Sequence, residues 1–485
     1  MIELENVSYT YPHTVQTALH DLSFSLPQGK CILVTGPSGA GKTTLCLAAA
    51  GILHHEYGGK KEGTVTVEGK NVASYAGLSD LAQKIGIVFD DPEAQMIFTT
   101  VEEEILSALE HRGLEASVIE DRLASIMQVT HLSELRNRSP HKLSGGQKQR
   151  VALAATLVLG NDILILDEPT SELDEHATGR IVSILNTLKA QGKTILLIEH
   201  KFSHFKEIVD TIVVMENGKI RAAGIPAELL KDERLRKIVI PDFSGIRALK
   251  PVYKSSSPAP VIPVDPLISV QDLSYSYGDI NAINGLNLAI RPGEFIAIVG
   301  ENGSGKTTLV KHFNGLLTPT EGNVYIAGKN TRQCTITNLA RDVGLVFQNP
   351  DHMFFADTVR EEVEFGLKNI GIHNGDSVIE KALEEVGLSH TKDLYPRWLS
   401  RGERQRLAIA CVIAMKPPAI VLDEPTTGLD GNEARLVMEI LKTLQQTGHT
   451  IILITHNREI AQYCADRVIM MEKGRIISDS ARGAC

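Results

Sequence analysis

Cys31-Ile32-Leu33-Val34-Thr35-Gly36-Pro37-Ser38-Gly39-Ala40-Gly41-Lys42-Thr43-Thr44 is the stretch that decides how this chain folds. Its first five residues form a short, continuously apolar run, the pattern of a strand buried on both faces. The next nine fit G-x-x-x-x-G-K-S/T, and residues 43–50 read as a helix. A strand, a glycine loop and a helix in that order form a phosphate cradle. Successive backbone N–H groups turn inward at a helix N-terminus and bind phosphate oxygens. Lys42 would neutralise the β and γ phosphates of a nucleotide, and Thr43 would ligate Mg²⁺. A glycine turn that happens to carry Lys-Thr is the bland alternative.

A second copy removes that alternative. Residues 295–299 lead into Gly300-Glu301-Asn302-Gly303-Ser304-Gly305-Lys306-Thr307-Thr308. Lys42 and Lys306 lie 264 residues apart, while Ser144 and Ser400, Asp167 and Asp423, and His200 and His456 each lie 256 apart. Several motifs in one order at nearly one offset mean a duplicated domain. The first copy is expected over residues 1–240 and the second over 267–485. The interval 241–266 contains the Pro/Ser-rich residues 250–260 and reads as an extended linker.

Composition bounds the rest. A chain of 485 residues is too long for one ordinary core. Its 43% hydrophobic and 22% charged content is that of a globular protein. The formal net charge of -10 argues against a surface built for nucleic acid. Six cysteines (Cys31, Cys46, Cys334, Cys411, Cys464, Cys485) show no paired spacing, which favours free thiols over a disulfide frame or a zinc site. No apolar run approaches the roughly 18–20 residues of a membrane span, and the N-terminus lacks a signal-peptide pattern. We therefore expect a cytosolic chain whose membrane work is done through partners.

Within each copy, buried strands alternate with helix-period segments, which implies a largely parallel α/β sheet. In the first copy the strands are 31–35, 163–166 and 194–198, with helices over 101–109 and 147–159. In the second they are 295–299, 420–422 and 451–454. Residues 4–24 alternate in short apolar stretches and suggest antiparallel strands. Asp167 and Asp423 end the second buried strands and fit carboxylates that hold Mg²⁺. Glu168 and Glu424 follow directly, where a carboxylate can orient or deprotonate a water in line with the γ-phosphate. A helix N-cap after the strand is the structural alternative for such a pair.

Leu143-Ser144-Gly145-Gly146-Gln147 lies between the loop and the carboxylates, and with them the chain resembles the ABC-type ATPases over nearly its whole length. The second copy reads Leu399-Ser400-Arg401-Gly402-Glu403 at this signature. The resemblance implies two tandem ABC domains of α/β class. Each would have a RecA-like, mainly parallel core, an antiparallel β subdomain and a helical signature subdomain. It implies ATP and Mg²⁺ as cofactors. Tyr11 and Tyr277 match the aromatic that stacks on adenine. Ser171-Glu172-Leu173-Asp174 and Thr427-Gly428-Leu429-Asp430 match the D-loop, and His200 and His456 match the switch histidine that contacts the γ-phosphate. Gln348 matches the Q-loop glutamine, which senses the Mg²⁺ and γ-phosphate region. The first copy puts Asp90 there, an acceptor-only group that adds negative charge beside phosphates.

ABC domains work as a head-to-tail pair, here a pseudo-dimer of the chain's own two copies, each nucleotide clamped by one loop and the other copy's signature. One composite site would join Lys306, Gln348, Asp423, Glu424 and His456 to Leu143–Gln147. The other would join Lys42, Asp90, Asp167, Glu168 and His200 to Leu399–Glu403, and both departures fall in it. Unequal sites are expected. The segments after Gln348 and Asp90 (residues 349–366 and 91–104) resemble those of energy-coupling-factor ATPases, where they receive the coupling helices of a transmembrane subunit. The resemblance thus implies the ATPase of an importer for a vitamin, vitamin precursor or trace metal ion. Its partners would be a transmembrane coupling subunit and a substrate-binding membrane subunit, and its place the cytoplasmic face of the cell membrane. A sugar-importer double ATPase is the nearest rival. A translation-factor-type double ATPase acting on ribosomes is the rival from another class, disfavoured by the short Pro/Ser-rich linker and the acidic balance.

Overall fold

A computed structural model describes residues 1–485 except 13, 15, 110–113, 172, 244–245, 247–264, 374 and 482–485. The Pro/Ser-rich stretch 250–260, Glu172 of the first D-loop and Cys485 therefore lie outside the described residues. The chain divides into two compact units, Met1–Asp242 and Phe243–Cys485. Phe243 is buried in the core of the second unit.

In the first unit the strands are β1 (Ile2–Thr10), β2 (Thr17–Leu26), β3 (Cys31–Thr35), β4 (Lys60–Val67), β5 (Lys70–Asn71), β6 (Ile85–Val88), β7 (Ile163–Asp167), β8 (Thr194–Ile198), β9 (Thr211–Glu216) and β10 (Lys219–Gly224). They form an antiparallel sheet in the order β2-β1-β4-β5 and a six-stranded sheet in the order β10-β9-β3-β8-β7-β6. The larger sheet is parallel except for the β9–β10 pair. Every residue of β3, β7 and β8 is buried, which explains their unbroken apolar runs. Successive side chains alternate between two cores, as a period of two requires. Cys31, Leu33, Leu164, Leu166, Ile195 and Leu197 pack on the side of the helices Gly145–Leu157 and Glu175–Ala190. Ile32, Val34, Ile163, Ile165, Leu196 and Ile198 pack on the side of the antiparallel sheet and the helix Lys42–Ala49.

The second unit repeats this. Its strands are β11 (Ile268–Tyr277), β12 (Ile280–Ile290), β13 (Phe295–Val299), β14 (Glu321–Ile326), β15 (Lys329–Asn330), β16 (Val343–Val346), β17 (Ala419–Asp423), β18 (Thr450–Ile454), β19 (Arg467–Glu472) and β20 (Arg475–Ala481). The orders are β12-β11-β14-β15 and β16-β17-β18-β13-β19-β20. In both units the phosphate-loop strand lies next to the histidine strand, and the carboxylate strand lies one further out. Three loops therefore leave the carboxyl ends of three neighbouring parallel strands, the place where ligands of α/β sheets collect.

Helix boundaries differ from the sequence reading by small amounts with physical causes. The helix expected over 147–159 runs Gly145–Leu157, because Ser144 caps it and so fixes its start. The helix expected over 101–109 ends at Leu106, after starting at a Thr100 capping box. Among the described residues, no helix is long and apolar enough to cross a membrane.

Candidate functional site

Each glycine loop is shaped by its positive backbone angles. Gly36, Gly39 and Gly41 have φ of 149°, 74° and 93°; Gly300, Gly303 and Gly305 have 153°, 80° and 98°. Gly41 and Gly305 are the clearest requirement, because each is left-handed at the N-cap of its helix. A Cβ there would lie 2.6 Å from the carbonyl oxygen of Ala18 or Ala282. The buried lysines curl back over their own loops. Lys42 Nζ donates to the carbonyls of Gly36 (3.0 Å) and Pro37 (2.9 Å), and Lys306 Nζ to those of Gly300 (2.8 Å) and Glu301 (2.9 Å). Each ammonium is thus already held within the cradle that a phosphate would enter.

The remaining polar groups converge on these loops. Thr307 Oγ1 donates to Asp423 Oδ2 at 2.7 Å. Burial pushes the Asp167 carboxyl up to about 7, opposed by the Thr43 hydroxyl and reinforced by the charges of Glu168 and Asp90. Burial likewise raises Asp423, against the Thr307 hydroxyl, with Glu424 adding to the rise. Hard oxygen donors of this kind suit Mg²⁺, which takes one or two protein oxygens and completes its shell from phosphates and water. Among the described residues no group of three His, Cys, Asp or Glu side chains could hold a metal by itself. Asp90 and Gln348 are both exposed, just beyond β6 and β16. Only Asp90 brings a charge to bear on the neighbouring aspartate.

Glu168 and Glu424 adopt left-handed angles of 47° and 50°, uncommon for glutamate and repeated at the matched position. The turn aims each carboxylate at its histidine. His200 Nε2 lies 3.0 Å from Glu168 Oε1, whereas His456 Nδ1 lies 2.9 Å from Glu424 Oε2. Glu424 Oε1 is buried and accepts no hydrogen bond among the described residues.

The signature residues open a helix in each unit. Ser144 N–H donates to Gln147 Oε1 (3.0 Å), and Ser400 N–H to Glu403 Oε2 (2.8 Å). Glutamate therefore caps as well as glutamine does. Although burial works against ionisation of Glu403, hydrogen bonds from the side chain and backbone of Ser400 hold its carboxyl below the usual range. The two glycines are unequal. A Cβ on Gly145 would meet nothing within 4 Å, while one on Gly146 would lie 2.7 Å from Ala177 Cβ. The chain varies the open position and keeps the crowded one. Arg401 does not project alone: a Cβ on Gly428 would lie 2.3 Å from its guanidinium carbon, so the arginine packs on the D-loop glycine of its own unit. Asp174 and Asp430 cap the helices Glu175–Ala190 and Gly431–Gln446, accepting from Ala177 N–H and from Asn432 and Glu433 N–H. Tyr277 is exposed and edge-on to Tyr275; the Tyr11 hydroxyl is bonded to Thr44 Oγ1 at 3.2 Å.

The ABC transporter family model matches residues 19–171 and again 283–427, one match over each glycine loop and its downstream carboxylates. This chain belongs to the ABC transporter family. It is an ABC ATPase, the ATP-binding subunit type, which binds and hydrolyses ATP. A Methanosarcina mazei protein described as an ABC transporter ATP-binding protein is 49% identical over 487 residues, covering 100% of this chain and 96% of its own length. A relative of the same description from Caldanaerobacter subterraneus subsp. tengcongensis is 36% identical, covering 95% and 88%. Among solved structures, cbiO1 of Clostridium perfringens, described as part of the ABC transporter complex cbiONQ, is 37% identical. It covers 45% of this chain and 89% of its own, with a TM-score of 0.42.

Three features of this ABC ATPase escaped the sequence reading. Lys148, just inside the signature helix, pairs with Glu93 at 2.8 Å; Arg404 pairs with Asp351 at 2.9 Å, a charge contact without an aligned hydrogen bond. Buried Glu104 accepts from the N–H groups of Ile97 and Phe98, and buried Glu362 from those of Phe355 and Ala356. Glu199 stands where the second unit has Thr455. Laying one half over the other would have exposed all three, since each recurs or differs at a matched position.

Proposed function

We propose that this ABC ATPase energises import of a small solute, a vitamin, vitamin precursor or trace metal ion, through separate membrane subunits of energy-coupling-factor type. It would work at the cytoplasmic face of the membrane, bound to a transmembrane coupling subunit and, through it, to a substrate-binding membrane subunit. The observation that carries this reading is a repeated apolar tip. Ile97 is 80% exposed and Phe355 75% exposed, at matched positions in the two units. In each the tip's backbone is clamped by a buried glutamate (Glu104 or Glu362), and the same segment is paired to the signature helix through Glu93 or Asp351. An exposed apolar residue on a rigid, tied loop suits docking of an apolar helix.

Within the sites, Lys42 and Lys306 would bind β and γ phosphate oxygens, and the loop N–H groups would orient them. Thr43 with Asp167, and Thr307 with Asp423, would hold Mg²⁺, which when bound neutralises phosphate charge. Gln348 would complete the second set. Glu424, with one oxygen held by His456 and the other without a partner among the described residues, would accept the proton of the attacking water. We assign most turnover to the Lys306 site. The Lys42 site carries the extra charge of Asp90. The test compares Glu424→Gln with Glu168→Gln in the assembled complex purified from its native membranes. Loss of turnover on Glu424→Gln with a mild effect of Glu168→Gln supports the assignment, and the reverse overturns it. Co-purification with ribosomes instead of small membrane proteins would overturn the importer reading.

A further inference from the structure

The two switch histidines meet their glutamates through different ring nitrogens, and the residue just before each histidine differs between the units. Glu199 is only 2% exposed. Its Oε1 accepts the backbone N–H of Thr170 (2.9 Å) and the Thr170 hydroxyl, and its Oε2 accepts the backbone N–H of His200 (3.2 Å). The second unit has Thr455 there, whose hydroxyl turns forward to accept Asn457 N–H at 3.0 Å. The backbone N–H of His456 is then left to Glu424 Oε2 (3.3 Å), the same oxygen that Nδ1 contacts at 2.9 Å.

The geometry follows from the shape of histidine. Nδ1 is bonded to Cγ and lies close to the residue's own backbone nitrogen, so both can grip one oxygen. Nε2 lies on the far side of the ring and cannot share an oxygen with that nitrogen. Where Glu199 removes the backbone N–H from competition, the ring extends and reaches Glu168 with Nε2, at 3.0 Å.

We propose that Glu199 is a positioning residue of the first ATP site: by taking the backbone N–H of His200 it makes that histidine engage Glu168 through Nε2, while His456 engages Glu424 through Nδ1. A carboxylate accepts only, so the contacting nitrogen carries the proton. The neutral rings are therefore opposite tautomers, Nε2–H at His200 and Nδ1–H at His456. The inference concerns the ATP sites alone and stands whichever solute, if any, is moved.

Nitrogen-15 spectra of the histidine-labelled full chain test it, recorded about two pH units above the ~6.5 of a free imidazole. The two rings are assigned through His200→Gln and His456→Gln. The wild-type chain should show His200 mostly as Nε2–H and His456 mostly as Nδ1–H. Glu199→Thr should invert His200 to Nδ1–H, and Thr455→Glu should invert His456 to Nε2–H. Identical wild-type tautomers overturn the proposal, as does an unchanged His200 in a Glu199→Thr chain that melts normally. If Glu199→Thr does not fold, Thr455→Glu decides alone, and an unchanged His456 overturns it.

Discussion

At the scale of single residues, burial of Asp167 gives the first unit a pH dependence that can be tested. Its carboxyl sits at about 7 because it is buried, with Glu168 and Asp90 adding to the rise that Thr43 and Lys42 oppose. Unfolded, an aspartate titrates near ~3.9. Between those values the folded state holds a proton that the unfolded state has lost, so stability falls as pH rises. The contribution is full below ~4 and gone above about 7. Without ligand, the chain should therefore lose thermal stability on going from about pH 5 to about pH 8. Asp167→Asn should flatten that slope in melts followed by circular dichroism, and an unchanged slope would place its source elsewhere. Binding of Mg²⁺ with nucleotide runs the other way, since it needs the ionised carboxylate and so releases a proton below about pH 7. Asp90→Gln removes one of the charges that raises Asp167, so the midpoint of that proton release, read by calorimetry in several buffers, should move to lower pH.

At the scale of elements, the start of the signature helix separates a required glycine from a permitted one. Gly146→Ala would drive a methyl to 2.7 Å from Ala177 Cβ, against the helix Glu175–Ala190, and should destabilise the chain by about 1–3 kcal/mol. Gly145→Ala opens on empty space and should leave the melting temperature unchanged or slightly higher. Equal losses in both variants would mean that packing on Ala177 is not the constraint. The strands were legible in the sequence because burial on both faces leaves an unbroken apolar run, and β3, β8 and β13 fall on the expected residues. Less legible was anything set by a side chain reaching across the fold. Arg401 reads in sequence as an intrusion near phosphate, yet it packs on Gly428, which no local pattern announces. Glu199 looks like one more solvated charge beside a histidine, and only its burial reveals a hydrogen-bonding clamp. The glycine loops and carboxylates were read for a different reason, since glycine, lysine and paired carboxylates in fixed order are what phosphate and Mg²⁺ chemistry calls for, whereas His200 and His456 rested on the family resemblance.

At the scale of the whole molecule, duplication has kept the mechanical links and varied the chemical ones. Both units retain the clamped apolar tip and the ion pair from the post-Q-loop segment to the signature helix. What differs includes Asp90 for Gln348, Glu199 for Thr455, Arg401 for Gly145 and Glu403 for Gln147. A chain selected only for hydrolysis has no need of two exposed hydrophobic tips, whereas one that must drive a membrane partner from both units does. If the proposed docking holds, the tips are where transport and turnover separate. Ile97→Asp and Phe355→Asp replace side chains that are 80% and 75% exposed, so each should change stability by no more than about 0.5 kcal/mol. Burying a new charge under an apolar helix should weaken docking by at least about 2 kcal/mol, roughly 30-fold. Each single variant should thus sediment less with membranes from cells that make the full complex, and the double variant should remain in the supernatant. Because the two tips would share the load, the double loss should exceed either single loss. Full membrane retention of the double variant, with a normal melt, would show that these tips do not carry the attachment.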